Sequence, residues 1–311
     1  MSDVISNSAI VGATPLPGRR SFLRSAFRDP GVRFGGTMVA LVVLSALAAP
    51  LIAALVGHGP TEQFRAEGLD AAGIPVGPSS TFWLGADGEG RDVLVRTLYG
   101  AQASLLVGIP ATTLAMLFGT TIGLTAGFLG GVFDRITDQV VNVALSFPFV
   151  VTALSLLALN RGSTGQPIVS PVLVVVLIIS AFSWTYFARL VRGMTLTLRS
   201  SPFVDAAVTL GASRRHVVFR EILPNVLPVV AVYWAVQLPT NIIAEATLSF
   251  LGVGIQAPTP SWGNMIADAQ RTSLYQVQPW YLLGPAIALL ITVLGFNALS
   301  SGLRNVLDPK R

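Results

Sequence analysis

Residues able to make or break bonds are scarce in this chain of 311 amino acids. It has no cysteine and two histidines, and its one lysine is Lys310, the penultimate residue. Disulfides, thiolate metal sites and cysteine nucleophiles are therefore excluded. A phosphate-cradling loop of the form G-x-x-x-x-G-K-[ST] needs a lysine that the body of the chain lacks. No H-E-x-x-H or G-x-S-x-G sequence occurs. His58 and His216 are far apart and flank different apolar runs, so no shared metal site is expected and each reads as a surface residue. What remains is the chemistry of charge placement. Residues 202–224 read PFVDAAVTLGASRRHVVFREILP, a polar and basic stretch between long apolar runs. Glu245 is the one charge well inside an apolar run, and Asp134, Arg135 and Asp138 cluster at the edge of another. Side chains so placed dock, gate or tie helices together.

The stretch from Ser201 to Pro224 reads as two short helices. Ser201 suits an N-cap and Pro202 the first helical position. Asp205 lies in the first turn, where the helix dipole favours a negative charge. Phe203, Ala206, Ala207 and Leu210 follow 3, 4, 7 spacing and predict one apolar face. Gly211 ends this helix in the manner of a C′ glycine. Ser213 caps a second helix over Arg214–Leu223, ending in Ile222 and Leu223, which Pro224 is expected to close. Arg214, Arg215 and Arg220 keep it out of hydrocarbon. Capping, dipole and stop signals agree, so this is a docking surface on one side of a membrane rather than an ordinary loop.

The elements that must hold this surface are membrane spans. The chain is 52% hydrophobic and 11% charged, against about 25% charged in soluble domains. Its mean hydropathy is +0.67. An all-α polytopic membrane protein follows, with six transmembrane helices of about 20 apolar residues each. They are expected over Phe34–Val56, Ala101–Phe128, Ile136–Leu159, Pro171–Val191, Val226–Leu251 and Tyr281–Leu303. Pro228 and Pro239 interrupt the fifth, and Pro148 allows a kink in the third. With the N-terminus inside, 15 of the 20 lysines and arginines fall on the inner side. The positive-inside rule then places both termini and the 200–224 loop in the cytoplasm. The first run is too long, and too far from the start, for a cleavable signal peptide. The divisions expected are a tail over 1–33, disordered up to about Gly18, a first span over 34–57 and an outer lid or docking segment over 58–100 that carries Trp83. A transmembrane domain over 101–303 and a cytoplasmic end over 304–311 complete the chain.

Three features inside the spans carry expectations. Ala111, Ala115, Gly119, Gly123, Gly127 and Gly131 recur every four residues, an extended small face that lets another backbone approach closely. Its partner is either a helix of this chain or a second subunit. Glu245 should face the bundle interior or a wet cavity. It either lines the route or its gate, or is a structural carboxylate bonded to neighbouring donors. Asp134, Arg135 and Asp138 read as an interfacial salt-bridge cluster.

The motifs also resemble a family. Asp205-Ala206-Ala207, Gly211 and Ile222-Leu223-Pro224 are similar to the "EAA" loop of permease subunits of ATP-binding-cassette (ABC) importers, with Asp where that family usually has Glu. Trp83 to Asp87, Gly90 to Leu94 and Leu98 to Ala101 resemble the WLGTD…GRDVLSR…YGAR signature of dipeptide, oligopeptide and nickel permeases. Glu245 to Gly252 and Pro258 to Gly263 resemble their EAxLSFLG…PPxPSWG segment, and Phe27 to Pro30 the start of the C-type subunit. The resemblance implies the type I ABC importer permease fold, with the 202–224 loop as coupling helices seated in a cytoplasmic ATPase. It implies a heterodimer with a homologous B-type permease, two ABC ATPase subunits that hold ATP and Mg, and an extracytoplasmic solute-binding protein. It implies residence in a bacterial cytoplasmic membrane and alternating access, with no cofactor on this chain and no nucleic-acid partner. The solute implied is a di- or oligopeptide, with nickel, haem or another small solute as alternatives. An ATP-independent carrier or channel is the other class, and it would favour inverted repeats and more intramembrane charge.

Overall fold

The computed structural model describes residues 26–160 and 168–307. The Ser-, Pro- and Gly-rich start, Arg161 and Lys310 lie outside them. Helix α1 is Pro30–Val56, α2 Val93–Leu129, α3 Gly131–Ser146, α4 Phe149–Leu159 and α5 Pro171–Arg199. Then come α6, Pro202–Thr209, and α7, a continuous helical run over Arg214–Phe250. Helix α8 is Trp262–Arg271 and α9 is Trp280–Leu307. Only isolated bridges, Leu69 with Pro75 and Ala86 with Asp92, interrupt the all-helical pattern among the described residues.

Local signals in the sequence set several ends. Asp29 caps α1 by accepting the Val32 N–H at 3.1 Å, with Pro30 in the first turn. Asp92 does the same for α2 through Val95, at 3.0 Å. Helix α2 therefore begins at Val93, a full two turns before the apolar run that suggested Ala101. The added turns carry Arg96 and Thr97 and start from a capping carboxylate, which a hydropathy window does not register. Pro50 has no N–H for the Ala46 carbonyl, and the Gln102 side-chain amide supplies the donor at 2.6 Å.

The third expected span is not one helix. Helices α3 and α4 meet at Phe147 and Pro148 with an 83° bend. Pro148 cannot donate, and the residue before a proline is pushed out of helical geometry; Phe147 is extended, at φ −80°, ψ 128°. The pair still completes one crossing, because α2 and α5 run parallel. A Cβ on Gly119 would touch Phe187, one on Gly123 would touch Ala188 and Arg192, and one on Gly127 would touch Thr195. Both sets of numbers rise together. Two parallel helices can be separate spans only if the chain between them returns to its starting side. Five long apolar helices and this bent pair make six spans.

Two other pairs are antiparallel. Helix α1 meets α9 through Gly31 with Gly302 and Gly35 with Leu299, and α2 meets α7 through Ser104 with Glu245 and Thr112 with Asn241. The start of α1, the end of α2, the end of α9 and α6 consequently share one end of the bundle. The 57–92 segment and α8 occupy the other.

Candidate functional site

The loop between α5 and α7 is helical as its caps suggest, with three differences. Ser201 does not cap α6, since its hydroxyl donates to the Leu198 carbonyl at 2.5 Å. Helical geometry continues to the end of α5, and the nearest free carbonyl captures the serine. Ser213 does cap the next helix, through the His216 N–H at 3.3 Å. Pro224 does not close that helix, which runs on into the membrane as α7. Val217–Ile222 form a π turn, with the Leu223 N–H reaching back to the Val218 carbonyl. Widening the helix there is how it passes a residue that has no N–H for the Arg220 carbonyl. The Asn225 amide caps the adjacent Glu221 carbonyl at 2.6 Å.

The apolar face also differs. Val204 is the residue of α6 that is buried, and Val217 and Ile222 are buried beside it. All three join one core with Leu124, Phe187 and Val226 of α2, α5 and α7. Phe203, Ala206 and Leu210 point away, and Leu210 is 88% exposed. Ala207 is half-buried, while Asp205, Gly211, Arg214 and Arg215 are exposed and Leu223 and Pro224 lie in the first turn of the long span. The loop is thus bolted to three spans by one face and offers a second, apolar face rimmed by arginine. Covering a side chain such as Leu210 is worth about 1.5–3 kcal/mol. At Gly211 the backbone takes φ +85°, the left-handed turn that joins the two helices.

The small-residue stripe packs within the chain. Gly119, Gly123 and Gly127 lie against the backbone of α5, and Ala115 joins the same core. Gly131 does not belong to the stripe. It follows Gly130 in the α2–α3 turn at φ +62°, and a Cβ there would meet nothing within 4 Å. Four-residue spacing continued past the helix end by coincidence of a turn glycine. Arg192 on α5 clamps Asp134 and Asp138 of α3, the latter at 3.4 Å, so the cluster is real but Arg135 is not its cation.

Glu245 is fully buried, at 0% exposure. Ser104 donates to one carboxyl oxygen at 2.9 Å and Ser249 to the other at 2.7 Å. Ser249 in turn accepts the Ile255 N–H at 2.9 Å. The carboxyl group therefore knots α2 to α7 and to the loop after it. Replacing Glu245 by Gln keeps an acceptor and a donor that a rotated serine hydroxyl can meet, so uptake should stay within about twofold of wild type. Glu245→Ala removes the acceptor of both serine hydroxyl donors and should cost about 1–3 kcal/mol, read as a lower melting temperature in detergent. Equal behaviour of the two variants would contradict the knot.

At the other end, sequence reasoning missed a charged clasp. His58, expected at the surface, is buried at 6% exposure and bonds Asp92 at 2.8 Å, with its ring stacked on Phe82. Asp87 pairs with Arg91 at 2.7 Å and with Arg96 at 3.3 Å. Arg96 also donates to the Pro60 carbonyl at 2.8 Å and the Pro258 carbonyl at 3.3 Å, tying the 57–92 segment to the turn before α8. Burial pushes the nearby Asp268 carboxyl above its ordinary range, against the pull of Arg271 and Arg91. The charges of the segment were visible, but their pairing across the fold was not. Trp83 stays outside the clasp, 61% exposed.

The matches to known proteins fit this architecture. Residues 119–311 match the family described as the binding-protein-dependent transport system inner membrane component. The chain belongs to that family. It is 39% identical over 75% of its length to the glutathione transport system permease protein GsiD of Pectobacterium atrosepticum, covering 74% of that protein. It is 38% identical over 75% of its length to the dipeptide transport system permease protein DppC of Alkalihalophilus pseudofirmus, also covering 74%. It is 40% identical over 73% of its length to the oligopeptide transport system permease protein OppC of Haemophilus influenzae, covering 70%. Among solved structures, an amino acid ABC transporter with histidines covers 68% of the chain at TM-score 0.50 and 17% identity, with 94% of that chain matched. The MetNI methionine ABC transporter in an inward facing conformation covers 70% at TM-score 0.50 and 21% identity, with 97% matched. These two likenesses support the type I permease fold. As a binding-protein-dependent transport permease, the chain is a multi-pass translocation subunit rather than an enzyme, and ATP hydrolysis belongs to partner subunits.

Proposed function

We propose that this chain is the C-type permease subunit of an ATP-driven importer of di- or oligopeptides in a bacterial cytoplasmic membrane. The observation that carries the reading is the α6–α7 loop, anchored in the core of three spans by Val204, Val217 and Ile222 and presenting Phe203 and Leu210 outward. A surface fixed on one side and sticky on the other can both receive and transmit force. The relatives named for glutathione, dipeptide and oligopeptide transport support the solute class.

In this reading a homologous B-type permease completes the pore, two ABC ATPases bind ATP and Mg beneath it, and an extracytoplasmic solute-binding protein delivers peptide. The loop and both termini face the cytoplasm, where Arg214, Arg215 and Arg220 obey the positive-inside rule. ATP closes the ATPases and the α6–α7 loop carries that motion into α5 and α7, which rock the bundle to face outward. Hydrolysis resets it.

The chain, tagged and expressed with its neighbouring transport genes, should bring P-loop ATPases through purification in detergent. Vesicles holding the complex and its binding protein should take up labelled trialanine only with ATP inside. Recovery without any ATPase, or uptake without ATP, would exclude the importer reading. ATP-dependent uptake of nickel or haem in place of peptide would replace the solute.

A further inference from the structure

One cleft of about 340 Å³ opens midway along α5 and α7, where the α3–α4 bend leaves them uncovered. Its lining has aromatic rings from Phe147, Phe149 and Phe182 and neutral polar groups from Tyr186, Gln237 and Thr240, with no charged residue. Beneath it runs a closed hydrogen-bond seam. Asn241 donates to Thr112 at 2.8 Å and its carbonyl accepts from Ser183 at 2.8 Å and from Gln237 at 3.3 Å. That seam fixes the Gln237 amide so that its nitrogen faces inward. Its carbonyl oxygen accepts no hydrogen bond among the described residues. The Thr240 hydroxyl makes none either, although most threonines of these helices donate to the carbonyl one turn back, as Thr247 does at 2.8 Å. The Tyr186 hydroxyl is likewise without a partner among the described residues, on a side chain 45% exposed.

We propose that this cleft is a solute subsite that reads the main-chain amides of a peptide in transit. The inference rests on the peptide-importer reading above. An acceptor fixed by the seam, Gln237 Oε1, can take a peptide N–H. Two hydroxyl donors, from Thr240 and Tyr186, can reach a peptide carbonyl. An amide that leaves water without such partners loses several kcal/mol, so a route through a membrane protein must replace them. A subsite with no charge and with flat aromatic walls tolerates side chains of any kind, and recognises what all peptides share. Ionic solutes such as a bare divalent cation find no ligand set here, and no group of acidic or histidine residues suited to a metal occurs among the described residues.

The test uses the assembled transporter with its binding protein in vesicles, and radiolabelled trialanine with its thioamide analogues, whose sulfur is a poor acceptor. Tyr186→Phe combined with Thr240→Val removes both hydroxyls and breaks no hydrogen bond of the described structure. Trialanine uptake by this variant should fall about tenfold, the loss expected for donors removed from a binding site. Uptake of the thioamides should change less than twofold, so the wild-type preference for the oxo-peptide collapses. Selection by the binding protein is common to both complexes and cancels. Equal loss for both solutes, or no loss for either, overturns the subsite while leaving the importer reading intact. If the double variant does not assemble, each single variant should lose about threefold on trialanine alone, and unchanged uptake in both overturns the proposal. A wild-type complex that imports no peptide overturns the solute assignment and the subsite together.

Discussion

Gly123→Leu should remove the folded permease from the membrane rather than slow it. A Cβ at this position would run into the Ala188 carbonyl oxygen and lie 3.0 Å from the Arg192 backbone nitrogen. Both obstacles are helix backbone, which cannot swing aside as a side-chain tip can. Tilting α2 away is blocked as well, because Gly119 and Gly127 make the same kind of approach one turn on either side. Without a hydrophobic drive between helices in lipid, such close packing is what holds α2 against α5. Extra atoms forced into a packed contact cost about 1–3 kcal/mol even where side chains can adjust. The control is Gly36→Leu on α1, a helical position where a Cβ meets nothing within 4 Å. Detergent extracts of the two variants should differ at least tenfold in monodisperse complex by fluorescence-detected gel filtration. Equal recovery would mean the α2–α5 contact holds nothing together.

The distinction between a lipid-spanning run and a polar one was legible because it depends on composition alone. Five long helices overlap the runs that hydropathy marked, although α2 starts two turns early and α6 forms without the Ser201 cap, and the parallel sense of α2 and α5 makes the bent pair the sixth crossing. What could not be read was anything decided by a partner distant in sequence. The eight residues of α6 include Phe203, Val204, Ala206, Ala207 and Val208, apolar nearly all round. The spacing from Phe203 and the spacing from Val204 are equally helical, and only the position of α2 and α5 decides that Val204 goes inward. His58 read as a surface residue because the one other histidine was too far away to share a metal with it; its partner Asp92 is 34 residues away. Pro224 looked like a stop because proline usually is one, and a π turn lets the helix continue. Glu245 was recognisable as a residue with a reason to be there, since charge within a span demands one. Its serines at 104 and 249 lie on different helices, so which reason applied needed coordinates.

The second large effect should come from Gly211→Pro, and it should leave the complex assembled. Gly211 joins α6 to α7 at φ +85°, a value proline cannot reach because its ring fixes φ near −65°. The substitution also deletes the N–H that bonds the Val208 carbonyl at 2.9 Å. A Cβ at Gly211 meets nothing within 4 Å, so the disturbance is one of direction, confined to the joint, and the anchors Val204, Val217 and Ile222 keep their places in the core. Helix α6 would then present Phe203 and Leu210 at the wrong angle to whatever grips them. In proteoliposomes, ATP hydrolysis should continue while peptide uptake per ATP falls by about tenfold or more, the scale of a lost docking contact of about 1.4 kcal/mol. Gly211→Asn separates geometry from glycine itself, because asparagine enters the left-handed region at modest cost, and it should retain most of the coupling. A Gly211→Pro complex that imports peptide at the wild-type ratio to ATP would show that motion reaches α5 and α7 by some path other than this joint.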